Sequence, residues 1–580
     1  MQIFTMVEQV LEGALAKAAS DGLLPNNLDT ASVSVEPPRD PSHGDVSTNI
    51  AMVLSKQAKK SPRDIAGILV PLLQAHEHIE QADIAGPGFI NLRLDMSCYH
   101  LVLKDILHTK SNYGDSELGM DVPVNVEYVS ANPTGPMHIG HARGAVYGDA
   151  LARLLSKAGY KVTKEYYIND AGSQIDTLAR SAFLRYKEAL GYGIGDIPQG
   201  LYPGEYLIPV GKALTEIFGS ALLDMDEGQM IKAVKPVVVD AMMDNIRSDL
   251  KELGITHDVF SSEAEIKEQG KIEETLEFLK EKGLLYLGIL EPPKGKKPDD
   301  WEPREQWLFK ATEFGDDVDR PLQKSDGTHT YFSADIAYHL DKFQRGFNDM
   351  VLVLGADHGG YVKRIKAAVG ALSDKKASVD VKLCQLVNFL EDGKPLKMSK
   401  RAGTFTTVHD VVNEVGADVV RFIMLTRKND AVLDFDLKQV KEQSKDNPVF
   451  YVQYAHARCQ SVLRIAQKDA SEALDIQDID FSLLDDESQH QLMKLLASWP
   501  RMVQMAARAY EPHRIAYFIQ EVAASFHSLW NKGKENATLR FIITDDIART
   551  AANLALIKAT AHVIASALNV IGVEPADVMQ

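Results

Sequence analysis

The chain has 580 residues, 45% of them hydrophobic and 25% charged, enough apolar material for several cores and about three to four domains. Its formal net charge of −18 excludes a uniformly basic nucleic-acid binder, so any RNA would have to be gripped by local patches on an acidic body. Its three cysteines, Cys98, Cys384 and Cys459, stand far apart with no CxxC, which supports neither a disulfide framework nor a cysteine zinc site. Buried thiols in a reducing, cytoplasmic setting are the expectation.

Taken in order, the chain opens on a helical spacing of Phe4, Val7, Leu11 and Leu15, with Glu8 and Glu12 between them. Acidic residues and the lack of an apolar core argue against a signal or transit peptide there. No uninterrupted apolar run anywhere reaches transmembrane length. Residues 1–115 read as a separate α+β module. A strand at Val33–Glu36 leads to the turn-rich Pro37-Pro-Arg-Asp-Pro-Ser-His-Gly-Asp45, helices at about 47–59 and 62–74, and a strand at Gly88–Leu94. Phe89 and Asn91 share one face of that strand. There they could stack on and hydrogen-bond an unpaired base, or equally be a core Phe and an edge Asn.

An apolar run, Val122–Val129, reads as a buried parallel strand, followed by a loop of small residues and two prolines. A long helical pattern then starts near His138 and carries Ala145, Leu151, Leu154 and Leu155 on its apolar positions. A strand, a small-residue loop and a helix start form an anion site, because unpaired N–H groups and the helix dipole converge there. His138 and His141 share one face of the helix start, and Gly140 removes a Cβ between them. Gly135 lies in the preceding loop. A pair of histidines at a helix start can also be a cap and a surface residue.

Residues 180–320 are expected to interrupt the doubly wound pattern with helices and loops, including a Pro/Lys-rich excursion at 293–300 whose charges read as solvated. The pattern resumes at Thr328–Tyr338, a strand or loop feeding a helix with Asp335 in its first turn, and at the buried strand Asp349–Gly355, which ends in Ala356-Asp-His358. Groups at the carboxyl ends of parallel strands face the ligand crevice. A further strand, Val381–Leu390, should turn at Asp392-Gly393 into Lys397-Met398-Ser399-Lys400, with Arg401 and Gly403 after it. From about 445 to 580 only helices are expected, beginning with Tyr451 and Arg458 on a stripe that reads most simply as bundle core.

His138-Ile-Gly-His141 and Lys397-Met-Ser-Lys400 resemble the two signatures of class I aminoacyl-tRNA synthetases. A given tetrapeptide turns up by chance in roughly one in a few hundred chains of this length, and two in the right order far less often. The N-terminal module, with Asp40-Pro-Ser-His-Gly-Asp45 and Gly86-Pro-Gly-Phe-Ile-Asn-Leu-Arg-Leu94, and the helical C-terminus resemble those of arginyl-tRNA synthetases. The resemblance implies a Rossmann-type catalytic domain at 120–405 with its insertion at about 180–320. It also implies a helical connection at 406–445 and an anticodon-binding domain at 446–580. It implies ATP with magnesium, L-arginine and tRNA(Arg) as substrates, no protein-bound structural metal, no membrane, and a monomer. Activation of arginine would require tRNA.

Carried onto this sequence, the resemblance gives His138, His141, Lys397 and Lys400 the catalytic roles. Gly135, Gly140, Met398 and Ser399 join them at ATP. Glu127, Asn132, Tyr331 and Asp335 fall at arginine-contacting positions, with Ser130 and His358 as further candidates. Phe89, Asn91, Tyr451 and Arg458 are the candidates for tRNA. The residues alone allow plainer roles: Glu127 could form an internal salt bridge, and Asp335 could serve helix-terminus electrostatics. Missing zinc-ligand cysteines disfavour a cysteinyl enzyme, and the N-terminal module disfavours lysyl and glutamyl ones. A small-metabolite adenylyltransferase would not need the helical tail, and a non-catalytic tRNA-binding paralogue should have lost one of the signatures.

Overall fold

A computed structural model describes residues 2–290, 304–395, 407–442, 444 and 446–579. The Lys397–Lys400 signature, Arg401, Gly403 and the 293–300 excursion therefore lie outside the described residues.

The first helix, Ile3–Ser20, buries Val7, Leu11 and their helical neighbours, packing on the helix Pro62–Gln74 and on the edge of an antiparallel sheet. That sheet comprises β1 (Val35–Glu36), β2 (Val46–Thr48), β3 (Ile79–Ala85) and β4 (Phe89–Leu94), in the order β1-β2-β4-β3. Helices Ile50–Ala58 and Pro62–Gln74 fall where the sequence puts them. The second starts at a cap in which the Ser61 side chain accepts from Asp64 N, with Pro62 in its first turn.

Next in chain order come β5 (Pro123–Glu127), β6 (Lys161–Ile168) and β7 (Val259–Ser262). Strands β8 (Leu285–Gly288), β9 (Gln306–Phe309) and β10 (Arg320–Gln323) make a small antiparallel sheet of their own. Then come β11 (Asp349–Gly355) and β12 (Ser378–Cys384). Five of these strands form a wholly parallel sheet in the order β12-β11-β5-β6-β7. The chain runs outward from β5 through β6 to β7, then returns to the opposite side of β5 with β11. Between β5 and β11 the winding reverses, and such a reversal opens a crevice at the carboxyl ends of the two strands. Glu127 closes β5 and residues 356–358 follow β11, so both border that crevice.

Four expectations are corrected. The 180–320 insertion is not wholly outside the main pattern, because β7 within it is the edge strand of the parallel sheet. Its four residues, Val-Phe-Ser-Ser, carry no apolar run to announce a strand. The expected strand Val381–Leu390 breaks at Gln385–Leu386 into β12 and β13 (Val387–Glu391), which belong to different sheets. β13 turns back through Asp392 and Gly393, both with positive φ, into β14 (Lys394–Pro395), the conformation an Asp-Gly hairpin needs. The connection at 406–445 is not all helical, since β15 (Leu433–Asp436) pairs in parallel with β13. Finally, the α-helix after the small-residue loop is Ala142–Lys157, and a single 3₁₀ turn, Ile139–His141, precedes it.

The C-terminal part is a helical bundle: Pro448–Asp469, Glu487–Ala497, Trp499–Ala509, His513–Glu535 and Ile547–Val570. The last is apolar on every side, so it must be enclosed. It is long and apolar enough to cross a membrane, yet 83% of that stretch is buried within the bundle. One continuous core joins the N-terminal module, one face of the parallel sheet and this bundle. Trp499 reinforces the junction by donating from Nε1 to the Tyr113 carbonyl at 3.0 Å.

Candidate active site

Beyond β5 the backbone turns sharply. Val129 and Ser130 have φ of 70° and 40°, left-handed values that are unusual for any non-glycine residue and most of all for a β-branched one. Backbone in that region costs about 1–3 kcal/mol per residue and persists only where its surroundings hold it. Here Ser130 Oγ donates to Glu127 Oε1 at 3.2 Å and accepts from Tyr167 N at 3.0 Å. The Tyr166 hydroxyl donates to the Ala131 carbonyl at 2.7 Å. The kink throws the following loop across the top of the sheet. Tyr206 holds that loop by donating to the Thr134 carbonyl at 2.8 Å, and its ring lies where a Cβ on Gly135 would be, 2.9 Å away.

The loop delivers His138 to the start of the 3₁₀ turn. Gly140 N donates to His138 Nδ1 at 2.9 Å, so in the neutral ring the proton sits on Nε2. A Cβ on Gly140 would lie 2.8 Å from that Nδ1, which gives the glycine a reason of its own: it keeps the His138 ring in place. The His138 and His141 rings stand edge to face, 6.3 Å apart. They do share a face, supplied by the 3₁₀ turn rather than by the α-helix.

Glu127 is 6% exposed, and its carboxylate meets Lys342 Nζ at 2.6 Å. Lys342 is fully buried and also lies over the Tyr338 ring, 4.2 Å from its centroid. The internal salt bridge allowed for Glu127 is thus present, with Oε1 held by Ser130. Tyr331, Asp335, Tyr338 and Lys342 lie on one stripe of the helix Tyr331–Gln344, spaced by four, three and four. Tyr331 is 79% exposed at the helix start. Asp335 stands in the second turn, past the range where the helix terminus would account for it.

Burial pushes the Asp335 carboxyl up to about 7. A hydrogen bond from Tyr361 and, more weakly, the Arg364 guanidinium pull it down, while the nearby carboxylates Glu263 and Glu127 push it further up. Glu127 has Lys342, and Glu263 has Lys267 Nζ at 2.5 Å. Three carboxylates thus approach one another with two ammonium partners between them. Of the other candidates, Asn132 is exposed and donates to Gln174 Oε1 at 2.9 Å. His358 lies in the turn after β11, its Nε2 3.7 Å from Asp357. Lys342, Glu263 and Tyr361 were missed in the sequence. For Lys342 the helical spacing from Asp335 was the available signal.

Three family descriptions match the chain: an arginyl tRNA synthetase N terminal domain at residues 5–94, a class I (R) tRNA synthetase catalytic domain at 102–191, and a DALR anticodon binding domain at 452–579. An arginine–tRNA ligase from Parvibaculum lavamentivorans is 56% identical over 100% of both chains, and one from a Ruegeria species is 55% identical over 100% of both. The chain belongs to the arginyl-tRNA synthetase family. An arginyl-tRNA synthetase structure from Thermus thermophilus matches with a TM-score of 0.71 over 98% of this chain and 100% of its own, a likeness of fold at 20% identity.

Both outer parts of this arginyl-tRNA synthetase family member carry candidate RNA contacts. In the N-terminal module Phe89 is 37% exposed and Asn91 only 8%, on the same face of the inner strand β4. The simple alternative is inverted: the Phe is out and the Asn is in. In the DALR bundle the Tyr451 ring lies 4.6 Å from that of His527. The Arg458 guanidinium sits over Tyr454 and Trp530, 4.0 and 4.8 Å from their centroids. It also bonds the Tyr454 hydroxyl at 2.9 Å.

Proposed function

We propose that this chain ligates L-arginine to its cognate tRNA in two steps. The arginine carboxylate attacks the α-phosphorus of ATP and pyrophosphate leaves, giving arginyl-adenylate. A hydroxyl of the tRNA 3′ end then attacks the acyl carbon and AMP leaves. Negative charge builds on the phosphate oxygens in the first step, so catalysis consists mainly of placing donors and cations around them.

On this reading His138, donating from Nε2, and His141 serve the α-phosphate, and Gly135 and Gly140 stand at the nucleotide, where they make room for the Tyr206 and His138 rings. Lys397 and Lys400 serve the leaving pyrophosphate, with Met398 and Ser399 at the nucleotide. Magnesium arrives on the ATP as part of the substrate. Glu127, Asp335 and Tyr331 receive the guanidinium, while Ser130, Asn132 and His358 receive the other end of the amino acid. Phe89 and Asn91 contact the tRNA at one end, Tyr451 and Arg458 at the other. The enzyme works as a monomer in the cytoplasm.

The observation that carries the arginine assignment is Asp335. Burial holds a proton on its carboxyl up to about pH 7 even with the Arg364 guanidinium nearby, and a substrate guanidinium, a planar and permanent cation, would favour the ionised form. An uncharged side chain of the same shape would leave the carboxyl protonated and forgo the ion pair. The test is competitive binding of L-arginine and L-citrulline, its neutral isostere. Citrulline should bind about a hundredfold more weakly, the loss of the charge-assisted hydrogen bonds to the carboxylates. Equal affinities would sink the assignment of this pocket.

A further inference from the structure

Asp249 and Glu252 occupy the last turn of the helix Glu227–Glu252. Carboxylates there face the negative end of the helix dipole, which disfavours them. Asp249 is also buried, 6% exposed, and burial pushes its carboxyl up to about 6. Such a placement costs stability unless the groups are held by specific partners, and both have them.

Asp249 Oδ2 accepts from Met137 N at 2.7 Å, on the residue before the first signature. The Met137 carbonyl in turn accepts from Val408 N at 2.9 Å, and His138 faces Thr407 across an isolated antiparallel bridge. Thr407 caps the helix Val408–Val415 through a reciprocal box with Asp410. Glu252, on the same helix turn as Asp249, takes His409 Nδ1 at 2.8 and 3.0 Å. One turn of one helix therefore holds both the residue that leads into His138 and the first described residues downstream of the second signature.

We propose that Asp249 and Glu252 form a clamp that sets the first signature in register with the chain following the second, making both of them positioning residues for adenylate formation. The inference rests on the ligase reading above. Neither carboxylate acts on substrate: Asp249 works through the Met137 amide and Glu252 through the His409 imidazole.

The test is arginine-dependent pyrophosphate exchange, with tRNA present, for the full-length wild type, Asp249→Ala, Asp249→Asn and Glu252→Gln. Asp249→Ala should lower kcat about tenfold or more while arginine KM moves less than about twofold, because the loss falls on the transition state. Asp249→Asn keeps a carbonyl that can accept from Met137 N, and should recover kcat to within about threefold of wild type. Glu252→Gln weakens a charge-assisted bond at a more exposed position and should lower kcat about threefold. Wild-type kcat in Asp249→Ala, or equal losses in the Ala and Asn variants, would overturn the clamp. If Asp249→Ala does not fold, Glu252→Gln and His409→Gln singly and together decide. Non-additive losses in kcat support the clamp, and unchanged kcat overturns it. A wild type that exchanges without arginine would instead sink the ligase reading, and the same variant ratios in that exchange would still decide the clamp.

Discussion

Arg421 Nη2 lies 2.6 Å from Asp149 Oδ2, and both side chains are almost wholly buried. The same guanidinium donates from Nη1 to the Leu253 carbonyl at 2.8 Å and from Nε to the Ile571 carbonyl at 2.9 Å. One arginine thus ties the helix Ala142–Lys157, which follows the first signature, to the buried carbonyl ends of two others, one bearing the Asp249–Glu252 turn and one at the heart of the DALR bundle. Gly572 is required beside it: its φ is 69°, and a Cβ there would meet the guanidinium.

Arg421→Met should therefore destabilise the protein by about 3–5 kcal/mol, because it takes from Asp149 the wholly buried one of its two arginine partners and leaves the Leu253 and Ile571 carbonyls without their donor. Arg421→Met with Asp149→Leu should lose less than Arg421→Met alone. Burial pushes the Asp149 carboxyl up, but Arg421 and Arg153 more than offset it, leaving it below the usual carboxylate range. The stabilisation is thus full above the unfolded pKa of about 4 and lost as pH falls through the lower folded value. Urea unfolding of the three proteins at neutral pH and at about pH 3 checks both statements. A single mutant as stable as wild type at neutral pH would contradict them.

Arginine binding should release protons near neutrality. With the Asp335 carboxyl at about 7, the empty site is largely protonated at pH 6. A bound guanidinium favours the carboxylate, so up to one proton should leave per arginine below pH 7, and progressively fewer above it. Calorimetry in two buffers of different ionisation enthalpy counts them. The same raised carboxyl means that its contribution to folding is present below about pH 4 and lost as pH rises through 7. Arginine should accordingly raise the thermal midpoint more at pH 8 than at pH 6. Asp335→Asn should abolish the proton release and cost about 2–4 kcal/mol in kcat/KM for arginine. A similar fall in ATP affinity would make the residue structural.

Lys342→Met should leave Glu127 buried without its partner, destabilising the empty enzyme by about 3–5 kcal/mol. Arginine, bringing a cation to the same carboxylates, should then restore more stability to the mutant than it adds to the wild type. Differential scanning of both proteins with and without arginine reads this out. An equal arginine shift in the two would mean that Glu127 and the ligand do not meet.

Much of this was legible in the sequence because its signals are local. The strand ending at Glu127, the small-residue loop, His138, Gly140 and His141 are consecutive, and so are Asp392 and Gly393 of the hairpin. Strand β7 was not legible, because an edge strand four residues long needs no apolar run. The break at Gln385–Leu386 was hidden inside one continuous β-forming segment. Pairings across the chain left no pattern: Lys342 meets Glu127 across 215 residues, and Asp249 meets Met137 across 112. The left-handed Val129 and Ser130 ran against residue preference, as strained positions at a ligand crevice do.

The substrate amino acid is arginine. Charging of total tRNA by the purified chain with ATP and magnesium, run separately with each of the twenty amino acids, tests it most directly. Acid-precipitable incorporation is expected with arginine and none above background with the other nineteen, lysine included. Charging with a different amino acid, or with none of the twenty, would contradict it.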